Sequence, residues 1–311
     1  MNITKLNYID DYTNKKLELP LIKYTEEEIL KEFNKLSNLK IDIMNQSVCG
    51  NKCSNNFFQQ YRFETKKKNK SFINVWEDAN LRSKLIIACG KLYKYKLPIN
   101  ISMIQSAYRH RYGSINQFKP YVASYIYQKF KPKRILDFSS GWGDRLIAAM
   151  ANDIDYIGID SNTNLKEPYK KMINFFHKHS KSKIKIIFEK SENIDYSKLP
   201  TYDLIFTSPP YYDIEIYQNM PQYENYFEWF NEFLEKIIFN SIKYLSLSGY
   251  MVLNIPITIY NDLTTIIGPS LEQIKLPLRS FKRVYDTKNK NKYYEYLYVW
   301  SAVDLKKYHI K

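Results

Sequence analysis

The stretch ILDFSSGWGDR, residues 135 to 145, decides the fold. It opens with apolar residues typical of a buried strand, reaches an acid at Asp137, and places Gly141 and Gly143 in a tight turn before a helical pattern begins. Glycine is needed where the backbone must approach a ligand closely, because a Cβ would intrude. A strand, a glycine turn and a helix in this order predict one unit of an α/β sheet with a ligand at the strand's carboxyl end.

The same alternation of strands and helices continues after about residue 116. Periodicity predicts strands at 134–138, 156–160, 183–188, 202–207 and 250–255, and helices at 121–130, 144–150, 167–177 and 226–245. Two further strands, 281–286 and 293–300, are predicted as a hairpin around the polar turn TKNKNK. Such a series implies a mostly parallel sheet that is covered on both faces and closed by an antiparallel hairpin.

Residues 1–115 have a different, mostly helical character. Thr25 and Glu28 form the spacing of a capping box ahead of an apolar stripe, and a second helix is indicated around 81–95. No alternating strand pattern and no internal repeat is found there. We therefore expect a helical N-terminal region, 1–115, joined to a sheet domain, 116–311.

The charge of the chain is uneven. The net charge is +15, and residues 51–150 hold 19 Lys or Arg against 5 Asp or Glu. A basic excess mixed with aromatic residues, as in AYRHRYGSINQF, suits a polyanion whose phosphates it would neutralise. The alternative is a lysine-rich composition that only keeps the surface soluble. The candidate nucleic-acid contacts are Arg109, His110, Arg111 and Arg283, for which solvation or packing is the competing interpretation.

Two more motifs stand at predicted strand ends. YIGID ends in Asp160, placed to accept hydrogen bonds from ribose hydroxyls. DLIFTSPPYYD breaks its strand with Pro209 and Pro210, because proline lacks the N–H that a ladder needs. Thr207–Tyr212 is therefore predicted to be a stiff loop at the carboxyl end of a strand.

The three motifs together resemble those of class I S-adenosylmethionine-dependent methyltransferases, over about residues 116–300. More narrowly they are similar to nucleic-acid amino-methyltransferases, whose catalytic loop reads Ser, Asp or Asn, then Pro-Pro and an aromatic. The resemblance implies a Rossmann-like, mostly parallel seven-stranded sheet and S-adenosylmethionine as cofactor. The cofactor-binding positions that it implies are Asp137, Phe138, Ser139, Gly141 and Gly143 with Phe118 at the methionine end, Asp160 at the ribose and Glu192 at the adenine.

The resemblance also implies a catalytic loop of Ser208, Pro209, Pro210 and Tyr211. The exocyclic amine of a base is a poor nucleophile because its lone pair is delocalised into the ring. The Ser208 hydroxyl and the Pro209 carbonyl would accept the two amine hydrogens, and Tyr211 would stack on a base that is flipped out or single-stranded. No metal is required. The sequence departs from the family pattern at Trp142, where a small residue is common.

The expected activity is methylation of an exocyclic amine in DNA, at N4 of cytosine or N6 of adenine. RNA is the second candidate substrate, and the side-chain amide of a protein glutamine is the third. The alternative to an enzyme is a catalytically silent subunit that only binds nucleic acid. The three cysteines fit free thiols better than half a zinc site in CGNKC. The start of the chain lacks the apolar centre of a signal peptide, so we expect a cytoplasmic protein with no membrane span, of unknown oligomeric state.

Overall fold

The computed structural model describes residues 18–44, 47–66, 70–94, 99–113, 117–212, 223–276 and 295–308. Five helices precede residue 120 within these ranges: α1 (Glu26–Asn38), α2 (Asn51–Glu64), α3 (Phe72–Glu77), α4 (Ala79–Leu92) and α5 (Ile101–Tyr112). The predicted capping box is present, since the Thr25 hydroxyl accepts from the Glu28 N–H at 3.2 Å and the Glu28 carboxylate accepts from the Thr25 N–H at 2.9 Å.

Strands and helices alternate from residue 120 onward. In chain order they are α6 (Pro120–Phe130), β1 (Arg134–Asp137), α7 (Asp144–Ala151), β2 (Asp155–Ile159), α8 (Lys166–Phe176), β3 (Ile184–Ile187), β4 (Tyr202–Thr207), α9, β5 (Leu245–Asn254), α10 (Ile257–Ile267), β6 (Glu272–Leu276), β7 (Glu295–Ser301) and α11 (Ala302–Tyr308). Helix α9 consists of an α-helical turn, Tyr226–Trp229, a π-helical segment, Phe230–Glu235, and a second α-helical segment, Lys236–Lys243.

The seven strands form one sheet in the order β3-β2-β1-β4-β5-β7-β6. Strands β1 to β5 pair in parallel, whereas β7 runs antiparallel to both β5 and β6. The predicted Rossmann-like fold is thus confirmed. The strand order reverses between β1 and β4, so a crevice opens there at the carboxyl ends of the strands.

The antiparallel edge differs from the prediction in its first strand. Strand β7 was expected at 293–300 and lies at Glu295–Ser301, but its hairpin partner is Glu272–Leu276, which the sequence analysis missed. The predicted strand 281–286 lies outside the described residues. Strand β6 is short, and only Ile274 and Leu276 are buried in it, which leaves a weak alternating signal.

The first two helices share a hydrophobic core with the sheet domain. Phe33 of α1 stacks on Phe176 of α8 at 4.6 Å between ring centroids, and Phe58 of α2 meets Tyr169 of α8 edge-on at 4.9 Å. Helices α3, α4 and α5 instead enclose a separate apolar cluster. The division at residue 116 stays a prediction, and α1 and α2 are packed as part of the sheet domain's own core. None of the helices in the described ranges is long and apolar enough to cross a membrane.

Candidate active site

Gly141 and Gly143 serve different purposes in the turn between β1 and α7. Both have positive φ, +58° and +72°. A Cβ on Gly143 would lie 2.6 Å from Met172 Cε and 3.1 Å from Phe58 Cε2, so this position must be glycine for packing. A Cβ on Gly141 would come within 4 Å only of the Ser139 carbonyl oxygen, at 3.9 Å among the described atoms. Gly141 therefore borders open space, as a ligand cradle requires.

Asp160 holds the open side of this turn. Its carboxylate accepts from the Gly141 N–H at 2.8 Å and from the Asn162 N–H at 2.9 Å. Burial raises the pKa of Asp160 to about 6, although these two hydrogen bonds act in the opposite direction. A partly buried carboxylate of raised pKa beside a glycine cradle is suited to accept hydrogen bonds from a neutral diol.

Asp137 is fully buried at the end of β1, and its carboxylate is hydrogen-bonded within the chain. Arg145 donates to it from Nε at 2.6 Å and from Nη2 at 3.2 Å, and the Tyr156 hydroxyl and the Ser139 N–H donate as well. Arg145 also donates to the Ser139 carbonyl oxygen. The carboxylate and its partner Arg145 thus fix the backbone that follows β1.

The Ser208-Pro209-Pro210-Tyr211 loop follows β4 directly, at the carboxyl edge of the sheet. The Tyr211 hydroxyl donates to the carbonyl oxygen of Asn254, the last residue of β5, at 2.8 Å. The Ser208 hydroxyl lies 3.2 Å from the Tyr211 hydroxyl and 3.4 Å from Asn254 Oδ1. Because Tyr211 gives its proton to Asn254, the Ser208 proton is drawn toward these same partners. The lone pairs of Ser208 then remain available as acceptors.

Pro209 is buried, whereas Ser208, Pro210 and Tyr211 are partly exposed. The loop is therefore anchored at its second residue and at the Tyr211 hydroxyl, while its first and last side chains still reach solvent. The strand ends where the two prolines predicted, at Thr207, while the stiffness of the loop and its role as an acceptor stay predictions.

Glu192 lies in a short 3₁₀ turn, Ser191–Asn193, beyond β3. The hydroxyl of Ser191 donates to the Phe138 carbonyl oxygen at 2.5 Å and so joins this turn to the segment after β1. Glu192 is partly exposed and hydrogen-bonded to Tyr223, and it lies on the same edge of the sheet as Asp160. Burial raises the pKa of Tyr223 most, and Glu192 raises it further.

Phe118 lies between the glycine turn and strand β4. Its ring lies 5.0 Å from Arg145 Cζ and meets the ring of Phe206, in β4, edge-on at 5.7 Å. The preceding residue, Gln117, is hydrogen-bonded to Asp144, the first residue of α7, at 2.6 Å. The segment before α6 is thus fastened to the glycine turn, and the position of Phe118 at the methionine end of a cofactor stays a prediction.

The described basic residues that were predicted to contact nucleic acid precede the sheet strands in the sequence and are exposed to solvent. Arg109, His110 and Arg111 are exposed in the last turn of α5, and Arg283 lies outside the described residues. In the described ranges no group of three or more His, Cys, Asp or Glu side chains is arranged to hold a metal ion. Cys49, Cys53 and Cys89 are buried free thiols.

Sequence reasoning missed three residues that shape the site. Asn254 ends a predicted strand just as Asp160 does, so its position was a usable signal. Arg145 and Gln117 carried none, because a buried arginine and a loop glutamine look like ordinary surface residues until their partners, Asp137 and Asp144, are located.

No family model and no curated protein matches the chain. Solved structures similar to it include TrmN from Thermus thermophilus, with 12% identity and a TM-score of 0.42 over 60% of this chain and 50% of that one. A SAM-dependent methyltransferase from Agrobacterium tumefaciens shows 13% identity and a TM-score of 0.42 over 61% and 65%. An rRNA methylase from Streptococcus thermophilus shows 10% identity and a TM-score of 0.38 over 60% of this chain and 99% of that one. The match spans about half the length of TrmN.

Proposed function

We propose that this protein transfers a methyl group from S-adenosylmethionine to an exocyclic amino group of a base in DNA, at N4 of cytosine or N6 of adenine. The observation that carries the proposal is the Ser208–Tyr211 loop. It stands at the carboxyl end of β4, beside the strand whose glycine turn borders open space, and its serine is left as a hydrogen-bond acceptor.

The residues around the crevice fit the cofactor. The Gly141 cradle leaves room for a ligand against the backbone, and Asp160 offers a carboxylate for the ribose diol. Glu192 would contact the adenine, and Phe118 would border the methionine end. Asp137 would contribute by holding Ser139 and the turn in place rather than by direct contact.

When bound, S-adenosylmethionine supplies an electrophilic methyl group on a sulfonium centre. The chain's part is to place and polarise the amine. Ser208 Oγ and the Pro209 carbonyl would accept the two amine hydrogens, which favours a pyramidal nitrogen with its lone pair directed at the methyl carbon. Tyr211, fixed through Asn254, would stack on the flipped or single-stranded base, and the surplus proton would leave to solvent after transfer.

Two other substrates remain candidates. RNA presents the same exocyclic amines, and the basic charge of residues 51–150 suits either nucleic acid. A protein glutamine amide poses the same problem of a delocalised lone pair. The exposed arginines of α5 favour a phosphate backbone over a neutral amide.

The test is methyl transfer from isotopically labelled S-adenosylmethionine to duplex DNA, single-stranded DNA, RNA and a glutamine-containing peptide. Nucleosides and peptides are then analysed by mass spectrometry. We expect labelled N4-methylcytosine or N6-methyladenine from DNA, formed about 10²- to 10³-fold more slowly by the Ser208→Ala variant. Label only in RNA or only in the peptide would transfer the proposal to that substrate, and label in no acceptor would overturn it.

A further inference from the structure

Arg62 is a partly buried arginine with spare hydrogen-bonding capacity. It lies in the last turn of α2, and its hydrogen bond to the described part of the chain runs from Nη1 to the Gln117 side-chain oxygen at 2.8 Å. Among the described residues no carboxylate oxygen comes within 4.0 Å of the guanidinium. A guanidinium has five donors in a rigid fork, so Nε and Nη2 remain free to bind an anion.

The direction of this arginine is fixed by a chain of buried hydrogen bonds. Gln117 Nε2 donates to Asp144 Oδ1 at 2.6 Å and lies 2.7 Å from the Ser54 hydroxyl, which itself donates to Asp144. Asp144 follows Gly143 directly. The guanidinium is therefore two hydrogen bonds away from the glycine turn, on a support that holds its orientation.

The same support joins Arg62 to the segment that precedes α6. Gln117 precedes Phe118, whose ring contacts Arg145 under the turn and Phe206 in β4. Phe118 is where the methionine part of the cofactor would lie under the proposed function. The ribose and adenine positions, Asp160 and Glu192, follow the next two strands, β2 and β3.

The nearest counter-charge does not occupy the arginine. Asp144 is buried, and its Oδ1 is already taken by Ser54 and Gln117. Burial raises the pKa of Asp144 to about 6, which weakens its compensation of a neighbouring cation in mildly acidic solution. Burial has the largest influence on Arg62 and lowers its pKa; Asp144 and Tyr24 raise the pKa, and Arg109 lowers it. The guanidinium is thus only partly compensated by its neighbours, and a bound anion would complete the compensation.

We propose that Arg62 binds the α-carboxylate of the methionine part of S-adenosylmethionine. The inference rests on the proposed function and assigns a residue of the N-terminal helical region to the cofactor site. It also explains why α2 is packed into the core of the sheet domain, since the arginine must be held at a fixed distance from the turn. A phosphate of the substrate strand is the competing anion.

The test compares two ligands by isothermal titration calorimetry: S-adenosylmethionine and decarboxylated S-adenosylmethionine, which lacks only the carboxylate. The wild-type protein should bind the decarboxylated form about 10- to 100-fold more weakly, as expected for the loss of a charge-assisted fork. Arg62→Gln should weaken the binding of S-adenosylmethionine by a similar factor. Its affinity for the decarboxylated form should stay within about twofold of that of the wild-type protein. That unchanged affinity also shows that the variant is folded.

Arg134→Gln is the matched control. Arg134 is the first residue of β1, at the end of the strand opposite to the glycine turn, and it pairs with Asp155. It should leave the ratio of the two affinities unchanged. Equal losses for both ligands in Arg62→Gln would overturn the inference while leaving the proposed function intact. If Arg62→Gln binds S-adenosylmethionine as the wild-type protein does, but binds an oligonucleotide more weakly and with less dependence on salt, Arg62 contacts a phosphate instead. A wild-type protein that binds neither ligand would overturn the proposed function as well.

Discussion

Replacement of Asp160 by Asn should weaken S-adenosylmethionine binding and remove its dependence on pH. The carboxylate accepts from the Gly141 and Asn162 N–H groups and would also accept from the ribose hydroxyls. An amide offers a single oxygen acceptor of lower charge. Because each carboxylate oxygen accepts from a different backbone N–H, the amide nitrogen of the variant would face one of these donors. The variant should therefore lose the charge-assisted hydrogen bonds to the ligand and one hydrogen bond of the turn.

The size of the effect follows from the pKa of Asp160, which is about 6 in the folded protein. A group with this pKa is about 97% ionised at pH 7.5 and about 10% ionised at pH 5. If only the ionised form binds the diol well, the dissociation constant should rise about tenfold between these pH values. Asp160→Asn should bind about 10- to 100-fold more weakly than the wild-type protein at pH 7.5, with a nearly flat profile.

The charge and the hydrogen bonds of Asp160 act on stability in opposite directions. The folded-state pKa of Asp160 lies above the unfolded value of 3.8, so its contribution to stability is full below that value and is lost as pH rises through about 6. At pH 7.5 removal of the charge should therefore stabilise the ligand-free protein, whereas loss of the hydrogen bond from the Gly141 or the Asn162 N–H should cost about 1–3 kcal/mol. Thermal unfolding of the ligand-free variant measures this balance, and the loss of the pH dependence of binding reports the ligand contact.

Calorimetric titrations at pH 5, 6 and 7.5, with thermal unfolding of the ligand-free proteins, measure both quantities. Asp144→Asn is the control, since the pKa of Asp144 is also about 6. If Asp160 is responsible, this control keeps the pH dependence of binding. An unchanged dissociation constant in Asp160→Asn would refute the reasoning. So would a dissociation constant that still depends on pH in Asp160→Asn but no longer does so in Asp144→Asn.

Three further predictions concern the loop and the turn. Tyr211→Phe removes the hydrogen bond to the Asn254 carbonyl oxygen, so steady-state kinetics should show turnover reduced about tenfold with unchanged cofactor affinity; equal turnover would contradict the anchoring role. Arg145→Met leaves Asp137 buried without its partner and should lower the free energy of unfolding by about 3–5 kcal/mol in urea, whereas a loss below about 1 kcal/mol would disprove the pairing. Gly143→Ala forces a Cβ against neighbouring side chains at positive φ and should cost about 1–3 kcal/mol by the same assay, and an unchanged midpoint would contradict this.

The architecture was readable from the sequence because strand ends carry strong local signals. A parallel strand buried on both faces appears as a short apolar run, and Asp137, Asp160 and Ser208 each mark the point where such a run stops. The alternation predicted a mostly parallel sheet, whereas the order of its strands and the crevice between β1 and β4 are seen only in the folded chain. The edge strand β6 escaped prediction because only two of its residues are buried.

The supporting contacts of the site could not be read in the same way. Asp137 was predicted from the resemblance to bind the cofactor, and its pairing with Arg145, eight residues further on, is seen only in the folded chain. Arg62 and Gln117 are 55 residues apart and belong to segments with no shared periodicity. Such pairs depend on tertiary packing, which a local pattern does not encode.

The central claim is that Ser208 accepts a hydrogen from the substrate amine during methyl transfer. Single-turnover methyl transfer, with the protein saturated by both S-adenosylmethionine and DNA, measures this step alone. Ser208→Ala should slow it about 10²- to 10³-fold, as loss of one preorganised polar group does, with cofactor affinity within about twofold of the wild-type protein. A Ser208→Ala protein that transfers methyl groups at the wild-type rate would contradict the account.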